Sequence, residues 1–263
     1  MHHAEATLEP HDAFWSEIAI SSLQWDKSFH RTRHGSLKAG DHAWFRGGRL
    51  NASYNCIDRH AFQTPDKAAI LGEGDLPGGE PHQITYAELL KNVSHRALVL
   101  KNMGVRRGEI VTIYMPNIPE AVRAMMACAR VAAVWPGYYE PESMGAEDPL
   151  YLLNTSRSTS KPKYLLHATA GYLLGCAVSR KYALDLHVSD TMFCAGNVGW
   201  ISGHSYLVYA PLALGLTTVI FDGTPSFPTS DRYLARTQVT HIYTAPTALS
   251  DEKGQPGRTQ PRR

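Results

Sequence analysis

Residues 151–164 read Tyr151-Leu152-Leu153-Asn154-Thr155-Ser156-Arg157-Ser158-Thr159-Ser160-Lys161-Pro162-Lys163-Tyr164. An apolar run enters a turn dense in hydroxyls, and two lysines bracket a proline. Tyr151–Leu153 reads as the end of a strand and Thr155–Lys163 as a polar loop. Hydroxyls and backbone N–H groups beside lysines can cradle a polyphosphate. The same residues also make an ordinary solvated turn, so the composition of the loop leaves both readings open.

Outward from the loop, the order of elements argues for an α/β layer fold. On its N-terminal side, Ala68–Leu71 forms a short strand, and Gly72–Pro81 is a turn rich in glycine, proline and acid. Thr85 and Glu88 form a capping box. Behind it Tyr86, Leu89, Leu90, Val93, Ala97 and Leu100 recur at helical spacing, and Gly104 suits the C-terminal end. Ile110–Met115 is expected as a buried strand. Asn117 is expected to cap a second helix, with Pro119 in its first turn, running through Ala121, Met125, Cys128 and Val131. On the C-terminal side, Lys163–His167 is a strand, and Thr169 caps a helix over Tyr172–Tyr182. Thr191–Cys194 is a strand, Leu207–Leu214 a helix ended by Gly215, and Thr217–Phe221 and His241–Tyr243 are strands. Residues 1–50 read as irregular, with aromatic residues anchoring them to a larger body. Asn51 onward opens a helix with Asp58, Arg59 and His60 on its polar face. Ser250–Arg263 is polar and basic and is expected to be disordered.

Bulk composition narrows the function classes. The chain has 263 residues, 43% of them hydrophobic and 19% charged, so it can bury a sizeable core. A net charge of +2 argues for neither nucleic acid nor an anionic membrane as partner. No apolar run is long enough to span a membrane. Cys56, Cys128, Cys176 and Cys194 show no CxxC spacing, and the N-terminus lacks the order of a secretory signal. Reduced thiols suit the cytoplasm, with the nucleus as a second compartment.

Three stretches resemble one family. Thr155, Ser156, Ser158, Thr159, Pro162 and Lys163 match the signature loop of the AMP-forming acyl-CoA synthetases, or adenylating enzymes. Leu50-Asn51-Ala52-Ser53-Tyr54-Asn55-Cys56-Ile57-Asp58-Arg59-His60 resembles the N-terminal signature of the acetyl-CoA synthetases within it. Asn197-Val198-Gly199-Trp200-Ile201-Ser202-Gly203-His204-Ser205-Tyr206 resembles a third family segment. The resemblance covers Phe14 to Leu249 and implies the N-terminal domain of an adenylating enzyme, a mostly parallel sheet flanked by helices. The divisions expected are an N-terminal extension over 1–60, α/β portions over 61–134 and 135–249, and a tail over 250–263.

The resemblance also implies chemistry. Such enzymes activate acetate with ATP and Mg²⁺, releasing pyrophosphate, and transfer the acetyl group from AMP to CoA. Thr155, Ser156, Ser158, Thr159, Lys161 and Lys163 would face the phosphates of ATP. Trp200 and Ile201 would wall the acyl pocket. Ser202, where the family has threonine, would also belong to that pocket and touch CoA or substrate, and Ser226 would contact CoA.

The chain departs from the family in three ways. Arg157, Ser160 and Tyr164 occupy glycine positions of the loop. Forcing a side chain into φ > 0 costs about 1–2 kcal/mol, and its Cβ can block the approach of a phosphate. After Val134 the lead-in Pro141–Leu150 follows at once, whereas the family places further strands and helices there, with a glycine-rich basic segment that helps hold CoA. The family's adenine and ribose motifs and its catalytic lysine lie beyond the matched region, so no catalytic residue is assigned. The expected function is therefore an acetate–CoA ligase by descent whose chain is catalytically incompetent alone. The alternatives are a non-catalytic remnant acting as an interaction protein, or an inactive product of a degraded gene or wrong gene model. Removing strands from a parallel sheet also leaves edges uncovered, which predicts marginal stability or aggregation.

Overall fold

The computed structural model describes residues 10–36, 38–74, 82–131, 140–155, 163–222 and 234–245. In chain order its elements are α1 (Pro10–Ser22), β1 (Arg31–His34), β2 (Ala43–Arg46), β3 (Arg49–Leu50), a π-helical turn (Tyr54–Asp58), α2 (Arg59–Gln63), β4 (Ala68–Gly74) and β5 (His82–Thr85). There follow α3 (Tyr86–Asn102), α4 (Pro119–Arg130), β6 (Met144–Gly145), β7 (Pro149–Thr155), β8 (Lys163–Ala168) and α5 (Thr169–Ala183). The last are β9 (Thr191–Cys194), a second π-helical segment (Gly203–Tyr209), α6 (Ala210–Ala213), β10 (Thr217–Asp222) and β11 (His241–Tyr243).

The central sheet has five strands in the order β11-β9-β10-β4-β5. β11, β9, β10 and β4 run parallel, and β5 closes one edge antiparallel to β4. β10 is β-branched and buried on both faces through Phe221, as a central parallel strand requires. The fold is thus the α/β layering read from the sequence. β7 and β8 form a separate antiparallel hairpin, with Thr155 opposite Lys163 and Asn154 opposite Tyr164.

One apolar core gathers Ile18 and Leu23 from the N-terminal region, Leu89, Val93, Val122 and Met126 from α3 and α4, Leu173 from α5, and Leu207, Val208 and Ile220. Thr85 caps α3 as expected: its Oγ1 accepts from the Glu88 N–H at 3.2 Å, and the Glu88 carboxylate accepts from the Thr85 N–H at 2.8 Å. Lys67 donates through Nζ to the carbonyls of Val188 and Gly215, fastening the start of β4 to the turn before β10.

Several expectations are corrected. Pro10–Ser22 is a helix and β1 pairs with β2, so residues 10–50 are not irregular. Gly72–Gly74 extends β4 rather than turning. Asp58 does not lie on a polar face: it is fully buried and gripped at both oxygens by Arg130, at 2.6 and 2.8 Å. A burial this deep needs a partner from a distant element, which local spacing does not reveal.

Ile110–Met115 joins no ladder among the described residues, and it is not buried. Ile110 is 73% exposed and Tyr114 fully so. Asn117 does not cap α4: Ile118 holds that position with no side-chain cap, and Asn117 reaches across to the segment before Trp200. Thr169 is the first residue of α5, not its cap, and its hydroxyl donates to the Asp148 carbonyl at 2.8 Å. The helix expected over Leu207–Leu214 is π-helical up to Tyr209. The expected tail from Ser250 lies outside the described residues.

Candidate functional site

The C-terminal end of β9 leads into a tight turn that presents Trp200, Ile201 and Ser202. The Cys194 thiol lies at this exit: it accepts from the Gly196 N–H at 3.4 Å and donates toward the Ser202 carbonyl at 3.8 Å. Asn197 shapes the turn twice. Its side-chain oxygen accepts from the Gly199 N–H at 2.8 Å, and its carbonyl accepts from the Trp200 N–H at 2.9 Å. Asn117 holds the same turn from α4's side, accepting from the Val198 N–H at 2.7 Å. Gly203 must lack a side chain, because a Cβ there would meet the Asn197 carbonyl oxygen at 2.0 Å.

The result is a rigid rim with apolar groups facing outward. Trp200 is 58% exposed and Ile201 is 42% exposed, while Ser202 is half-buried. Two large apolar side chains held in water by such a turn suit a wall that meets something beyond the described residues.

A stack of rings joins this rim to the β7–β8 hairpin. Tyr151 of β7 stacks on His167 of β8 at 4.5 Å and meets the His204 ring of the π-helical segment at 4.5 Å. Tyr172 of α5 packs edge-on against Tyr151 at 5.0 Å, and its hydroxyl bonds the Ser205 hydroxyl at 2.9 Å. Burial lowers the pKa of both His167 and His204 from the ordinary histidine value. Neutral rings there favour stacking over acid–base work at neutral pH. Sequence reasoning missed this cluster. His204 stood inside a quoted motif, but no spacing rule links it to Tyr151.

Of the residues read as phosphate-binding, Lys163 begins β8 and is exposed, and Thr155 ends β7 directly opposite it. Both therefore sit at the mouth of the hairpin. Ser156, Ser158, Thr159 and Lys161, and also Ser226, lie outside the described residues. Tyr164 occupies the third replaced glycine position. It is extended within β8 and 68% exposed, so its backbone needs no left-handed conformation there. What the substitution adds at that place is the bulk of a ring. The rim and the hairpin mouth thus stand on elements tied together by the ring stack.

Among the described residues no cluster of three or more His, Cys, Asp and Glu could hold a metal ion, and no helix is long and apolar enough to cross a membrane.

A mostly parallel sheet flanked by helices, with a separate hairpin beside it, defines an α/β layered protein, and comparison with known proteins makes that specific. The profile of the AMP-binding enzyme family matches residues 57–137 and 136–258, and the profile described as the acetyl-coenzyme A synthetase N-terminus matches residues 2–56. The chain belongs to the AMP-binding enzyme family. It is 40% identical to the acetyl-coenzyme A synthetase of Penicillium chrysogenum, over 93% of this chain and 49% of that protein. It is 38% identical to acetyl-coenzyme A synthetase 2 of Pseudomonas aeruginosa, over 92% of this chain and 51% of that one. Its fold matches a solved acetoacetyl-CoA synthetase from Streptomyces lividans with a TM-score of 0.83, at 23% identity, over 92% of this chain and 50% of the other.

The chain spans about half the length of the relatives it matches. The alignment to the Penicillium protein runs over 331 positions, more than the 263 residues present, so the relative carries positions that this chain skips. The two family matches meet at residues 136–137, where the sequence pattern breaks.

Proposed function

We propose that this chain is, by descent, an AMP-forming acetate–CoA ligase that keeps the wall facing the acyl group and has lost a working phosphate cradle, so that it does not complete the reaction alone. In the reaction of that class, the carboxylate of acetate attacks the α-phosphate of ATP and pyrophosphate leaves. The thiol of CoA then displaces AMP. Mg²⁺ bound with ATP would offset phosphate charge.

Each side of the site has its own role in this reading. Trp200 and Ile201 flank the small carboxylate, and Ser202 and Ser226 contact CoA. Thr155, Ser156, Ser158, Thr159, Lys161 and Lys163 would face the phosphates. The departing pyrophosphate gains charge in the transition state and needs N–H and hydroxyl donors at close range. Arg157 supplies a cation, but Arg157, Ser160 and Tyr164 put side chains where glycines allow close approach. The observation that carries the proposal is this asymmetry: the acyl rim is held by Asn197, Asn117 and Gly203, while the glycines of the loop beside it are replaced.

Calorimetric titration of the purified chain with MgATP tests it. The expected result is no saturable binding below millimolar nucleotide. Micromolar binding would mean that the cradle works and would overturn the reading. The second reading, a remnant that acts by interaction, is favoured by one observation, the exposed side chains of Ile110, Tyr114 and Met115.

A further inference from the structure

Arg180 lies in the last turn of α5 and is 4% exposed. Its guanidinium carbon sits in the corner of two tyrosine rings, 3.5 Å from the centroid of Tyr206 and 4.2 Å from that of Tyr243. The two rings meet edge-on at 4.8 Å. Their π-faces attract the cation but do not replace hydrogen-bond acceptors. Nε and Nη2 of Arg180 are both buried and have no hydrogen-bond partner. These two donors share one edge of the planar group, the fork that grips both oxygens of a carboxylate. Burial lowers the Arg180 pKa, and the side chains that bear on its charge are Tyr206, Cys194, Tyr243 and Cys176, none of them a carboxylate. A guanidinium stays charged in a protein, so Arg180 is a buried cation without a counter-ion among the described residues. Tyr243 ends β11 and stands opposite Cys194, the last residue of β9. The charge therefore lies at the carboxyl ends of parallel strands, where open α/β sheets take their ligands.

We propose that Arg180 anchors a site for a small carboxylate at the ends of β9 and β11, its Nε and Nη2 edge taking both oxygens of the ligand. One guanidinium supplies one positive charge and one planar fork, which match a singly charged, planar anion. The neighbouring cation, Lys181, is exposed and lies over the Tyr182 ring at 5.6 Å, so it does not make the site fit for a doubly charged phosphate. The rings of Tyr206 and Tyr243 offer apolar surface to the short tail of such an acid. Tyr243 is the cover. Its side chain is 38% exposed, and its carbonyl accepts from the Ala195 N–H at 2.9 Å. The ring can therefore turn aside while β11 stays in the sheet. Desolvation, which makes the empty state costly for the cation, favours the state with an anion bound. The site stands apart from the acyl wall of the ligase reading, which is built from Trp200 and Ile201 and does not include Arg180.

Calorimetric titration of the full chain with sodium acetate tests it, with sodium chloride holding the ionic strength constant and inorganic phosphate as the competing probe. The native chain should bind acetate saturably and phosphate more weakly. Arg180→Gln should weaken acetate binding about tenfold or more, the scale of a lost charge-assisted hydrogen-bond pair. Lys181→Gln, one residue away and exposed, should bind as the native chain does. Acetate should raise the thermal midpoint of the native chain and leave that of Arg180→Gln unmoved. In chloride alone, Arg180→Gln should melt no lower than the native chain, because it removes a charge that has no counter-ion. Absence of acetate binding by the native chain overturns the proposal, and so does binding kept in Arg180→Gln. Loss confined to Trp200→Ala would place the anion at the rim and overturn it as well, as would phosphate binding tighter than acetate. Circular dichroism checks the fold of each variant. Arg180→Lys keeps the charge and loses the fork, so it must also weaken binding, and it carries the test if Arg180→Gln does not fold.

Discussion

Asp58 and Arg130 form a bidentate ion pair with neither side chain exposed to water, at 2.6 and 2.8 Å. Asp58 ends the π-helical turn and Arg130 ends α4, so one charge pair ties the N-terminal signature segment to the last turn of the second helix. Asn51 reinforces the joint, donating to the Ala129 carbonyl at 2.9 Å and the Glu142 carbonyl at 2.8 Å. Removing one partner deprives a buried charge of its bidentate counter-ion. Asp58→Ala or Arg130→Ala should lose about 3–5 kcal/mol in urea denaturation. The double change Asp58→Leu/Arg130→Met, with apolar volume in place of both charges, should recover most of that loss. A single variant within 1 kcal/mol of the native chain (~, the scale of an exposed pair) would mean that the pair contributes little.

Acid should weaken the fold before its carboxylates titrate. Burial beneath Tyr86 and beside Arg59 pushes His60 down to about 4. Between that value and the unfolded value of about 6.5, the unfolded chain binds a proton that the folded chain does not. Stability therefore falls as pH drops from 6.5 toward 4 (about those two values), and levels off below for this group. His167 and His204, both lowered by burial, act in the same direction. Thermal midpoints across that window should show the loss, and His60→Gln should reduce its slope. A flat profile would contradict the buried, neutral state of the ring.

Thr85 should be measurable as a cap by substitution. Thr85→Ala should cost about 1 kcal/mol, the usual value for loss of an N-cap oxygen. The Thr85 N–H and hydroxyl hold the Glu88 carboxylate below its ordinary pKa. That contribution is present above the carboxylate range and disappears as pH falls through the folded value. Chemical denaturation of Thr85→Ala at neutral pH checks the cap, and an unchanged midpoint would show that α3 does not need it.

Thr85 also marks what the sequence made readable. Cap chemistry and short β-branched runs are local, so α3 begins where the capping box places it, and Thr191–Cys194 and His241–Tyr243 are strands with the bounds expected. Ile110–Met115 reads as a strand and pairs with none among the described residues, and a pairing partner is not a local property. The environment of Asp58 depends on Arg130, and the role of Asn117 depends on Val198, each far along the chain. The two π-helical segments each admit an extra residue per turn, which apolar spacing does not separate from an ordinary helix. At the candidate site, Trp200, Ile201 and Ser202 stand out in the sequence through family resemblance alone, which leaves their role a proposal, whereas the stack of Tyr151, His167 and His204 arises only when β7, β8 and the π-helical segment meet.

The rim turn should fail if Gly203 gains a side chain. A Cβ at Gly203 would lie 2.0 Å from the Asn197 carbonyl oxygen and 2.7 Å from the Val198 Cα, both backbone atoms that cannot step aside alone. Gly203→Ala should cost about 1–3 kcal/mol of stability, the range for forced overpacking, and should shift the accessibility of Trp200 to a soluble quencher. Gly171, where a Cβ meets nothing within 4 Å, is the control: Gly171→Ala in α5 should be neutral or mildly stabilising. Equal behaviour of the two variants would contradict the tight turn.

The central claim is that this chain carries the ligase ancestry and the acyl rim without a working site for adenylate formation. Acetate-dependent exchange between ATP and pyrophosphate by the purified chain measures that step directly, since exchange requires acetyl-AMP to form and revert. The account predicts exchange at the level of a protein-free control with acetate and Mg²⁺ present. Exchange that rises with acetate and is lost on Lys163→Ala would contradict it, and would mean that the hairpin still holds the phosphates despite Arg157, Ser160 and Tyr164.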